Sequence, residues 1–336
     1  MLYNLLSMGL DAAVELIQTN HEILCVSHVG PDGDAVGSLL GMYWILRQLG
    51  KNPAIALQDD VPFELKWLPG VDRIGSTRST NRTFDLIIAL DASSADRMGS
   101  VFQPHLHHSI PLLVIDHHVT NTNFGNANWV DGQSAATCQM LVELAERLAV
   151  PLSKDAATCL LTGVVTDTLC FRTSNTTAAV LMTATKLMQC GAQLTEITQR
   201  TLDLRPYNAL RLAGHAMINA ELEEGVLWTK VTRQQALETG AEPGQANLSS
   251  ILSRTVEADI TAIFTEKFDN KGLPVVDCSF RAKPGFDVGA VAFELGGGGH
   301  RPAAGCTLPG SLANVVPDVV RRLQKARQAA LVGQKK

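Results

Sequence analysis

The sequence predicts an α/β protein with a mainly parallel β-sheet in an N-terminal domain and a second, smaller α+β domain. Residues 23–26, 84–90 and 111–115 are near-continuous apolar runs, which are typical of strands covered on both faces and therefore of a parallel sheet. Beyond about residue 220 the pattern changes to short segments in which apolar and polar residues alternate. A length of 336 residues also exceeds one ordinary core and favours two domains.

The elements of the first domain follow from the periodicity of its apolar residues. Residues 10–18 have the spacing of a short amphipathic helix, and the run at 23–26 is the first strand. A helical pattern begins at Ala35 and ends before Gly50, which is a typical C-terminal stop. The same reasoning predicts strands at 53–57, 84–90 and 111–115 and helices at 134–148, 155–167 and 176–189. Ser134 is a candidate cap for the first of these three helices.

A change in the pattern of polar and apolar residues predicts where the second domain begins. Residues 194–219 are more polar and are interrupted by Pro206, so we interpret them as an interdomain linker. The two domains are therefore predicted at residues 1–193 and 220–333. In the second domain, alternating patterns predict strands at 225–231, 259–267 and 275–281. Helical spacing predicts helices at 244–252 and 287–295.

The composition is that of a folded globular protein, with 46% hydrophobic and 18% charged residues. A formal net charge of −5 argues against a broad basic surface for long duplex DNA, but it leaves room for a local pocket that binds a small phosphorylated substrate. The seven cysteines are scattered and never spaced as C-x-x-C, which is typical of reduced thiols in a cytoplasmic protein. The apolar runs are too short for a membrane span, and no secretory signal pattern is present, so we expect neither.

Residues 23–34 carry the strongest functional signal, because a buried strand is followed at once by His28, Asp32 and Asp34. A strand that turns into a helix presents such groups beyond the carboxyl edge of an α/β sheet. One imidazole and two carboxylates suit manganese, zinc or iron better than calcium. The alternative is a turn in which the two aspartates bond to the backbone and cap the helix.

Similar residues recur downstream. The ends of two later apolar runs and of one helical pattern carry acids and histidines, namely Asp91, then Asp116, His117 and His118, and finally Asp167. Each position alone is as compatible with a turn aspartate or a solvated histidine as with a ligand. The carboxyl ends of parallel strands, however, meet at one edge of a sheet. Buried carboxylates gathered there would raise one another's pKa and destabilise the fold unless cations neutralised them.

These motifs resemble, in order, the four motifs of the DHH phosphoesterase superfamily: His28-x-x-x-Asp32-x-Asp34, Asp91, Asp116-His117-His118 and Gly163-Val-Val-Thr-Asp167. The glycine-rich stretch from Gly296 to Gly305, with Ser279-Phe-Arg281 ahead of it, is similar to the DHH-associated domain. The combination resembles the short subgroup of bifunctional oligoribonucleases and 3′-phosphoadenosine 5′-phosphate (pAp) phosphatases.

The resemblance implies a role for each residue of these motifs. His28 and Asp32 would bind one metal ion, the second ion would be held by Asp34, His117 and Asp167, and Asp91 would bridge the two. His118 would face the scissile phosphate, and Asp116 would orient its neighbours. The resemblance implies two manganese ions, with magnesium or cobalt as possible substitutes, and a homodimer formed through the first domain.

The residue chemistry agrees with a hydrolytic mechanism of this kind. Two metal ions about 3.5–4 Å apart can bind one hydroxide and clamp a phosphoryl oxygen, so that no protein nucleophile is required. A protonated His118 can then stabilise the developing charge or donate to the leaving oxygen.

The glycine-rich stretch predicts an anion site in the second domain. Four consecutive glycines indicate close backbone approach or unusual dihedral angles, and their N–H groups can surround an anion. We expect this domain to hold the non-scissile end of the substrate, across a cleft from the metals. Its predicted contacts are Arg281, Gly298, Gly299, His300 and Arg301, and Arg172 of the first domain is a further candidate unless it forms a structural ion pair. A loop without a ligand is the alternative.

The leading hypothesis is therefore a cytoplasmic, manganese-dependent phosphoesterase that acts on short oligoribonucleotides and pAp. A phosphodiesterase for cyclic di-AMP or its linear product pApA stays open. A manganese-dependent inorganic pyrophosphatase would need a more lysine- and arginine-rich second domain, and a RecJ-like single-strand exonuclease would be longer. A protein that binds nucleotides as a sensor, without catalysing a reaction, is the alternative that is not an enzyme. A complete set of ligands for two metals weighs against it, because binding alone does not require one.

Overall fold

The computed structural model describes residues 2–76, 83–103, 109–269 and 271–333. The chain divides into two compact units, of which the first ends at Leu204 and the second begins at Arg205. Residues 194–219, which are predicted as a linker, contain an α-helix and a π-helix before this division and a second α-helix after it. The exact limits predicted for the two domains stay a prediction.

The first unit contains one six-stranded sheet in which every neighbouring pair is parallel, as the apolar runs predict. The strand order is β3-β2-β1-β4-β5-β6. The six strands are β1 Glu22–Val26, β2 Asn52–Ala56, β3 Ile74–Gly75, β4 Leu86–Leu90, β5 Leu112–Asp116 and β6 Ala127–Val130. The short edge strands β3 and β6 are absent from the prediction, because each offers too few apolar residues for a recognisable run.

Six helices belong to the first unit in its described part: α1 Leu2–Thr19, α2 Gly33–Gln48, α3 Thr137–Arg147, α4 Lys154–Asp167, α5 Ala178–Gln189 and α6 Leu194–Thr198. They pack on one face of the sheet, and residues between the strands cover the other, so that strand residues are buried on both faces. Cys25 and Ile88 pack with the cluster that contains α2, α3 and α4. Val26 and Ile87 pack on the opposite face, against Met98 and its neighbours. The fold class predicted for this unit is confirmed.

The second unit contains a six-stranded mixed sheet in the order β11-β12-β10-β9-β8-β7, where only β8 and β9 pair in parallel among the described residues. Its strands are β7 Glu221–Glu223, β8 Val226–Val231, β9 Ile260–Phe268, β10 Pro274–Ala282, β11 Gly298–His300 and β12 Ala303–Pro309. Its helices are α7 Tyr207–Ile218, α8 Arg233–Thr239, α9 Leu248–Leu252, α10 Val288–Glu294 and α11 Leu312–Gly333. The α+β class predicted for this smaller unit is confirmed. The helix predicted at 244–252 is divided at Asn247 into a 3₁₀-helix, Pro243–Ala246, and α9.

The predicted cap of α3 is wrong. The hydroxyl of Ser134 donates to the side chain of Asp131 at 2.8 Å, and the helix begins only at Thr137. Its first N–H groups are instead satisfied by Asp34, a residue about a hundred positions earlier in the chain. A local sequence pattern cannot reveal a cap that comes from another helix.

The free cysteines agree with the reduced thiols expected from their spacing. Every cysteine is free; five are buried and two, Cys170 and Cys190, are partly buried. Among the described residues, none of the helices combines the length and apolarity that a membrane crossing requires.

Candidate metal centre

The strand order places the predicted ligands at one edge of the sheet. The order reverses between β1 and β4, which are direct neighbours. In open α/β sheets, ligands bind beyond the carboxyl ends of the strands at such a point. His28 lies two residues after β1, Asp91 directly follows β4, and His117 directly follows β5. Asp167, the last residue of α4, reaches the same place from a helix.

The first group of potential ligands consists of His28, Asp32 and Asp91. The Nε2 atom of His28 lies 3.5 Å from Oδ2 of Asp91 and 3.8 Å from Oδ1 of Asp32. Asp32 also accepts from the N–H groups of Asp34 and Ala35 and so caps α2. Asp32 therefore caps the helix, as the alternative interpretation of this motif predicts. The same carboxylate also faces His28, so capping does not prevent it from binding a metal.

The second group consists of Asp34, His117 and Asp167. The Nε2 atom of His117 lies 3.9 Å from Asp34, 3.3 Å from Asp167 and 3.5 Å from Oδ1 of Asp91. The two oxygens of Asp91 thus face the two groups separately, one toward His28 and one toward His117. Asp91 is in the position that a ligand shared by two ions requires.

The two histidines are oriented so that Nε2 is the available nitrogen. Nδ1 of His28 lies 3.0 Å from the carbonyl oxygen of Val29, and Nδ1 of His117 lies 3.3 Å from that of Ser134. When Nδ1–H donates to a carbonyl, the lone pair on Nε2 is free to coordinate a metal. Both Nε2 atoms point into the groups of carboxylates described above.

The N-terminus of α3 holds two of the carboxylates. Asp34 is completely buried and accepts from the N–H groups of Thr137 at 2.6 Å and Cys138 at 3.0 Å. The hydroxyl of Thr137 donates to Oδ1 of Asp91 at 3.1 Å. The positive end of the helix dipole therefore lies against this acidic site and stabilises its negative charge. Thr137 could not be predicted from the sequence, since its role depends on contacts that no local pattern encodes.

Asp91 also has an unusual backbone conformation. Its φ angle is 57°, in the left-handed region that aspartate enters more readily than most residues but still at a cost. The N–H of Asp91 donates to the carbonyl oxygen of Ile115 on the neighbouring strand at 3.0 Å. The sheet thus fixes the strained residue, and its side chain is only 2% exposed.

The electrostatics of the site favour the binding of positive charge. Burial, followed by the charge of Asp91, raises the pKa of Asp34 well above its usual range. Burial and then the charge of Asp34 have the same effect on the pKa of Asp167. Burial of His28 favours its neutral form, but hydrogen bonds to Asp32 and Asp91 outweigh it and raise the pKa of His28 to about 10. Without metal, protons must therefore balance the clustered carboxylates.

The donor set fits divalent transition metals. The two groups contain two imidazoles and four carboxylates, and Asp91, His117 and His118 form a third group that shares a residue with each of them. Mixed nitrogen and oxygen ligation suits manganese, zinc or iron. Bound cations would neutralise the buried negative charge of the aspartates, as the sequence predicts.

Metal binding should therefore release protons and stabilise the protein more strongly at higher pH. The raised pKa values of Asp34 and Asp167 give the metal-free protein a stability that is present at low pH and lost as the pH rises through those values. Manganese replaces the protons, so the rise in Tm on adding manganese should be larger at pH 8 than at pH 5.5. Calorimetry at pH 7 in two buffers of different ionisation enthalpy should show net proton release. Equal increments in Tm at both pH values would contradict this protonation of the metal-free site.

His118 belongs to a separate hydrogen-bonded chain beside the ligands. Its Nδ1 lies 2.7 Å from Oδ1 of the fully buried Asp116, and that hydrogen bond raises the pKa of His118. Asn121 donates through Nδ2 to the other oxygen of Asp116 at 2.6 Å and to the carbonyl oxygen of Ala92 at 3.1 Å. The chain fixes the ring of His118, whose side chain is 38% exposed, beside Asp91. The sequence analysis named Asp116 for this role but missed Asn121.

Glycines bring the two ligand-bearing helices together. Gly33, Gly37 and Gly41 lie on one face of α2, and a Cβ atom at any of them would be within 2.6 Å of an atom of α4. Gly163 of α4 is equally restricted, because a Cβ there would be 2.3 Å from Sγ of Cys138 and 2.6 Å from Oδ1 of Asp34. The small residues allow Asp34 on α2 and Asp167 on α4 to face the same histidine.

Gly163→Ala should therefore destabilise the first unit and weaken metal binding. The added methyl group must displace Cys138 and the carboxylate of Asp34, and such overpacking costs about 1–3 kcal/mol. Gly214→Ala is a matched control, since Gly214 lies within α7 with no atom near its added Cβ; alanine should stabilise that helix by about 0.5–1 kcal/mol. Thermal unfolding and manganese titration of both variants measure the effect. Unchanged manganese affinity in Gly163→Ala would show that Asp34 is not held in place by this contact.

Of the residues predicted to bind substrate, Arg172 is in the first unit. It is exposed, and its Nε donates to the carbonyl oxygen of Leu169 at 2.6 Å, so the proposed structural ion pair is not formed among the described residues. The turn that leads from Asp167 to Arg172 is strained, because three successive residues, Leu169 to Phe171, have positive φ angles.

The other five predicted substrate contacts are in the second unit. Arg281 is partly buried, and its guanidinium donates to the carbonyl oxygen of Phe280 at 2.9 Å. Gly298 to His300 form the exposed strand β11 rather than an irregular loop. Gly299 has a φ angle of 133° and lies against Ala304, which accounts for glycine there. Arg301 forms an ion pair with Asp287 at 3.1 Å, so a phosphate would have to compete with that carboxylate.

Comparison with known proteins agrees with the motifs. The family model "DHH family, N-terminal domain" matches residues 22–164, and the "DHHA1 domain" model matches residues 229–330. The chain therefore belongs to the DHH family of phosphoesterases and is a hydrolytic enzyme.

Relatives within the family are similar over most of the chain. A bifunctional oligoribonuclease and PAP phosphatase, NrnA, from Thermus thermophilus is 36% identical over 288 residues, which is 86% of this chain and 84% of the relative. NrnA from Bacillus subtilis is 27% identical, covering 88% of this chain and 92% of its own. The crystal structure of an exopolyphosphatase-related protein from Bacteroides fragilis has the same fold, with a TM-score of 0.87 at 22% identity over 95% of this chain and 96% of that one.

Proposed function

We propose that this enzyme is a manganese-dependent phosphoesterase that hydrolyses short oligoribonucleotides and pAp through a water molecule activated by two metal ions. The observation that carries the proposal is the pair of ligand groups that share Asp91, one with His28 and Asp32 and the other with His117. Two such groups on one carboxylate are the arrangement used for hydrolysis of phosphate esters. The named activities of the T. thermophilus and B. subtilis relatives support the choice of substrates.

In this proposal each group of side chains has one task. His28, Asp32 and Asp91 hold one manganese ion; Asp34, His117 and Asp167 hold the other, together with Asp91. When bound, the ions supply Lewis acidity toward phosphate and lower the pKa of water so that hydroxide is available near neutral pH. Magnesium or cobalt would be substitutes with the same type of ligands.

The protein's own acid is His118. Its Nδ1 is bound to Asp116, so its Nε2 is the nitrogen that can donate a proton or a hydrogen bond to the phosphate. The raised pKa of His118, caused first by that hydrogen bond, keeps the ring protonated nearer to neutral pH. His118 therefore stabilises the charge on the phosphoryl group or protonates the leaving ribose oxygen, and Asp116 and Asn121 keep the ring in place.

Further contacts would select nucleotides. Arg172 is exposed close in sequence to Asp167 and can bind a phosphate. Arg281 carries positive charge without a carboxylate partner among the described residues, and Gly298, Gly299 and His300 lie exposed in β11, which is separated from the strand of Arg281 by β12. Arg301 would contribute after exchanging Asp287 for phosphate. The homodimer, the cytoplasmic location and the absence of binding to long duplex DNA stay predictions of the sequence.

A panel of substrates tests the proposal directly. The purified protein with manganese is incubated with pAp, ribonucleotides of two to five residues, cyclic di-AMP and pyrophosphate. We expect AMP and phosphate from pAp and mononucleotides from the short oligomers, with little turnover of the other two. Turnover confined to pyrophosphate or to cyclic di-AMP would overturn the proposed substrates, and tight binding without turnover would favour the sensor.

A further inference from the structure

An arginine that the sequence analysis did not single out lies next to the metal centre. Nη2 of Arg97 is 3.4 Å from Nδ1 of His28 and 3.4 Å from the carbonyl oxygen of Val29. The guanidinium is therefore one imidazole ring away from the nitrogen that faces Asp32 and Asp91. The side chain of Arg97 is exposed at the surface of the site, so a substrate can reach it.

The segment that carries Arg97 is firmly held, although its guanidinium is exposed. The carbonyl oxygen of Arg97 accepts from the N–H of Val29 at 2.7 Å, and the next residue, Met98, is completely buried. The N–H of Ser100 donates to the side chain of Gln58 at 2.8 Å. These contacts fix the backbone of Arg97 against the loop that contains His28, so the base of the side chain has a defined position relative to the site.

The charge of Arg97 is not neutralised locally. Its Nη2 donates to the carbonyl oxygen of Val29 and only lies near the ring of His28, and no carboxylate in the described ranges lies within ion-pair distance of it. Some exposed arginines of the first unit do have such partners, for example Arg147 with Asp11 and Arg200 with Glu196. An arginine left unpaired beside an acidic centre is available to an anionic ligand.

The charges of the site indicate which ligand benefits. Four carboxylates, Asp32, Asp34, Asp91 and Asp167, balance two divalent ions, so a bound phosphate adds negative charge that these groups do not neutralise. A phosphodiester adds one negative charge, whereas a terminal phosphate carries between about one and a half and two at neutral pH. An extra cation therefore assists the terminal phosphate of pAp more than the internal phosphate of an oligonucleotide.

We infer that Arg97 is a specificity-determining residue, whose guanidinium favours terminal, dianionic phosphate groups over phosphodiesters at the same metal centre. This inference rests on the proposed function, and it explains how one site acts on both substrate classes. A residue that only supported His28 would, when replaced, reduce hydrolysis of terminal phosphates and of phosphodiesters equally. A specificity-determining residue would change the ratio of the two rates.

The test compares Arg97→Gln and Arg97→Lys with the unmodified enzyme on two matched substrates, pAp and its 3′-methyl ester. Both release AMP from the same position, and they differ by one charge on the reacting phosphate. We expect Arg97→Gln to lower kcat/KM for pAp about tenfold more than for the methyl ester, with the difference shrinking as salt rises. Arg97→Lys should restore most of the preference, and Arg73→Gln, which removes an exposed charge paired with Asp72, should leave it unchanged.

Two further measurements do not depend on turnover. Calorimetry should show that inorganic phosphate binds about tenfold more weakly to manganese-loaded Arg97→Gln, while the affinity for manganese itself is unchanged. Equal loss on both substrates, or weaker manganese binding, would overturn the inference and assign Arg97 to supporting His28. If the unmodified enzyme hydrolyses neither pAp nor a ribonucleotide dimer, the proposed function fails instead.

Discussion

Asp91→Asn should abolish almost all hydrolysis of pAp and of short oligoribonucleotides. The substitution removes the negative charge that faces both His28 and His117, each at 3.5 Å from a different oxygen of Asp91. In the proposed function both ions would lose a ligand at once, so we expect kcat to fall by more than about a thousandfold. Manganese titration should show that at least one of the two ions is bound much more weakly.

Asp96→Asn is the matched control for this variant. Asp96 is exposed, lies five positions along the same segment and has no contact with the ligand groups. Its activity and manganese affinity should stay close to those of the unmodified enzyme. If Asp91→Asn instead kept a substantial fraction of the activity with both ions bound, Asp91 could not be the shared ligand.

His118→Gln should lower kcat by about 10²–10⁴ while manganese binding stays nearly unchanged. Nδ1 of His118 is bound to Asp116, and 38% of the side chain is exposed, so in the proposed function His118 acts on the phosphate instead of holding an ion. The loss should be greater for substrates with a poor leaving group, such as a ribose oxygen, than for a nitrophenyl ester, because a good leaving group needs less protonation.

Metal affinity decides between the two roles open to this residue. His118 also lies close enough to Asp91 and His117 to form a group that could hold a metal. A large drop in manganese affinity in His118→Gln would therefore assign it to metal binding. Equal losses for good and poor leaving groups would leave charge stabilisation, not proton donation, as its contribution.

The parallel sheet could be predicted because its central strands are apolar on both faces. Ile87 and Ile88 point to opposite faces and are both completely buried, which is why the run at 84–90 does not alternate. Edge strands give no such signal. In the second unit, α11 was missed although its residues Val316, Val319, Val320 and Leu323 are buried at helical spacing, because Pro317 interrupts the pattern.

The candidate ligands could be predicted because each one ends a strand or helix with a recognisable pattern. What surrounds them could not. Thr137 and Asn121 act by donating hydrogen bonds to acids that other elements supply, and Arg97 lies in a short segment without periodicity. The glycines of α2 are visible in the sequence at intervals of four residues, but only the packing on α4 shows why a side chain is excluded there.

The most direct measurement is an anomalous difference map, recorded at the manganese absorption edge, from crystals of the protein grown with manganese. We expect two peaks about 3.5–4 Å apart, one contacting His28 and Asp32, the other contacting Asp34, His117 and Asp167, with Asp91 between them. A single peak, or two peaks that do not share Asp91, would contradict the two-metal centre on which the proposed chemistry depends.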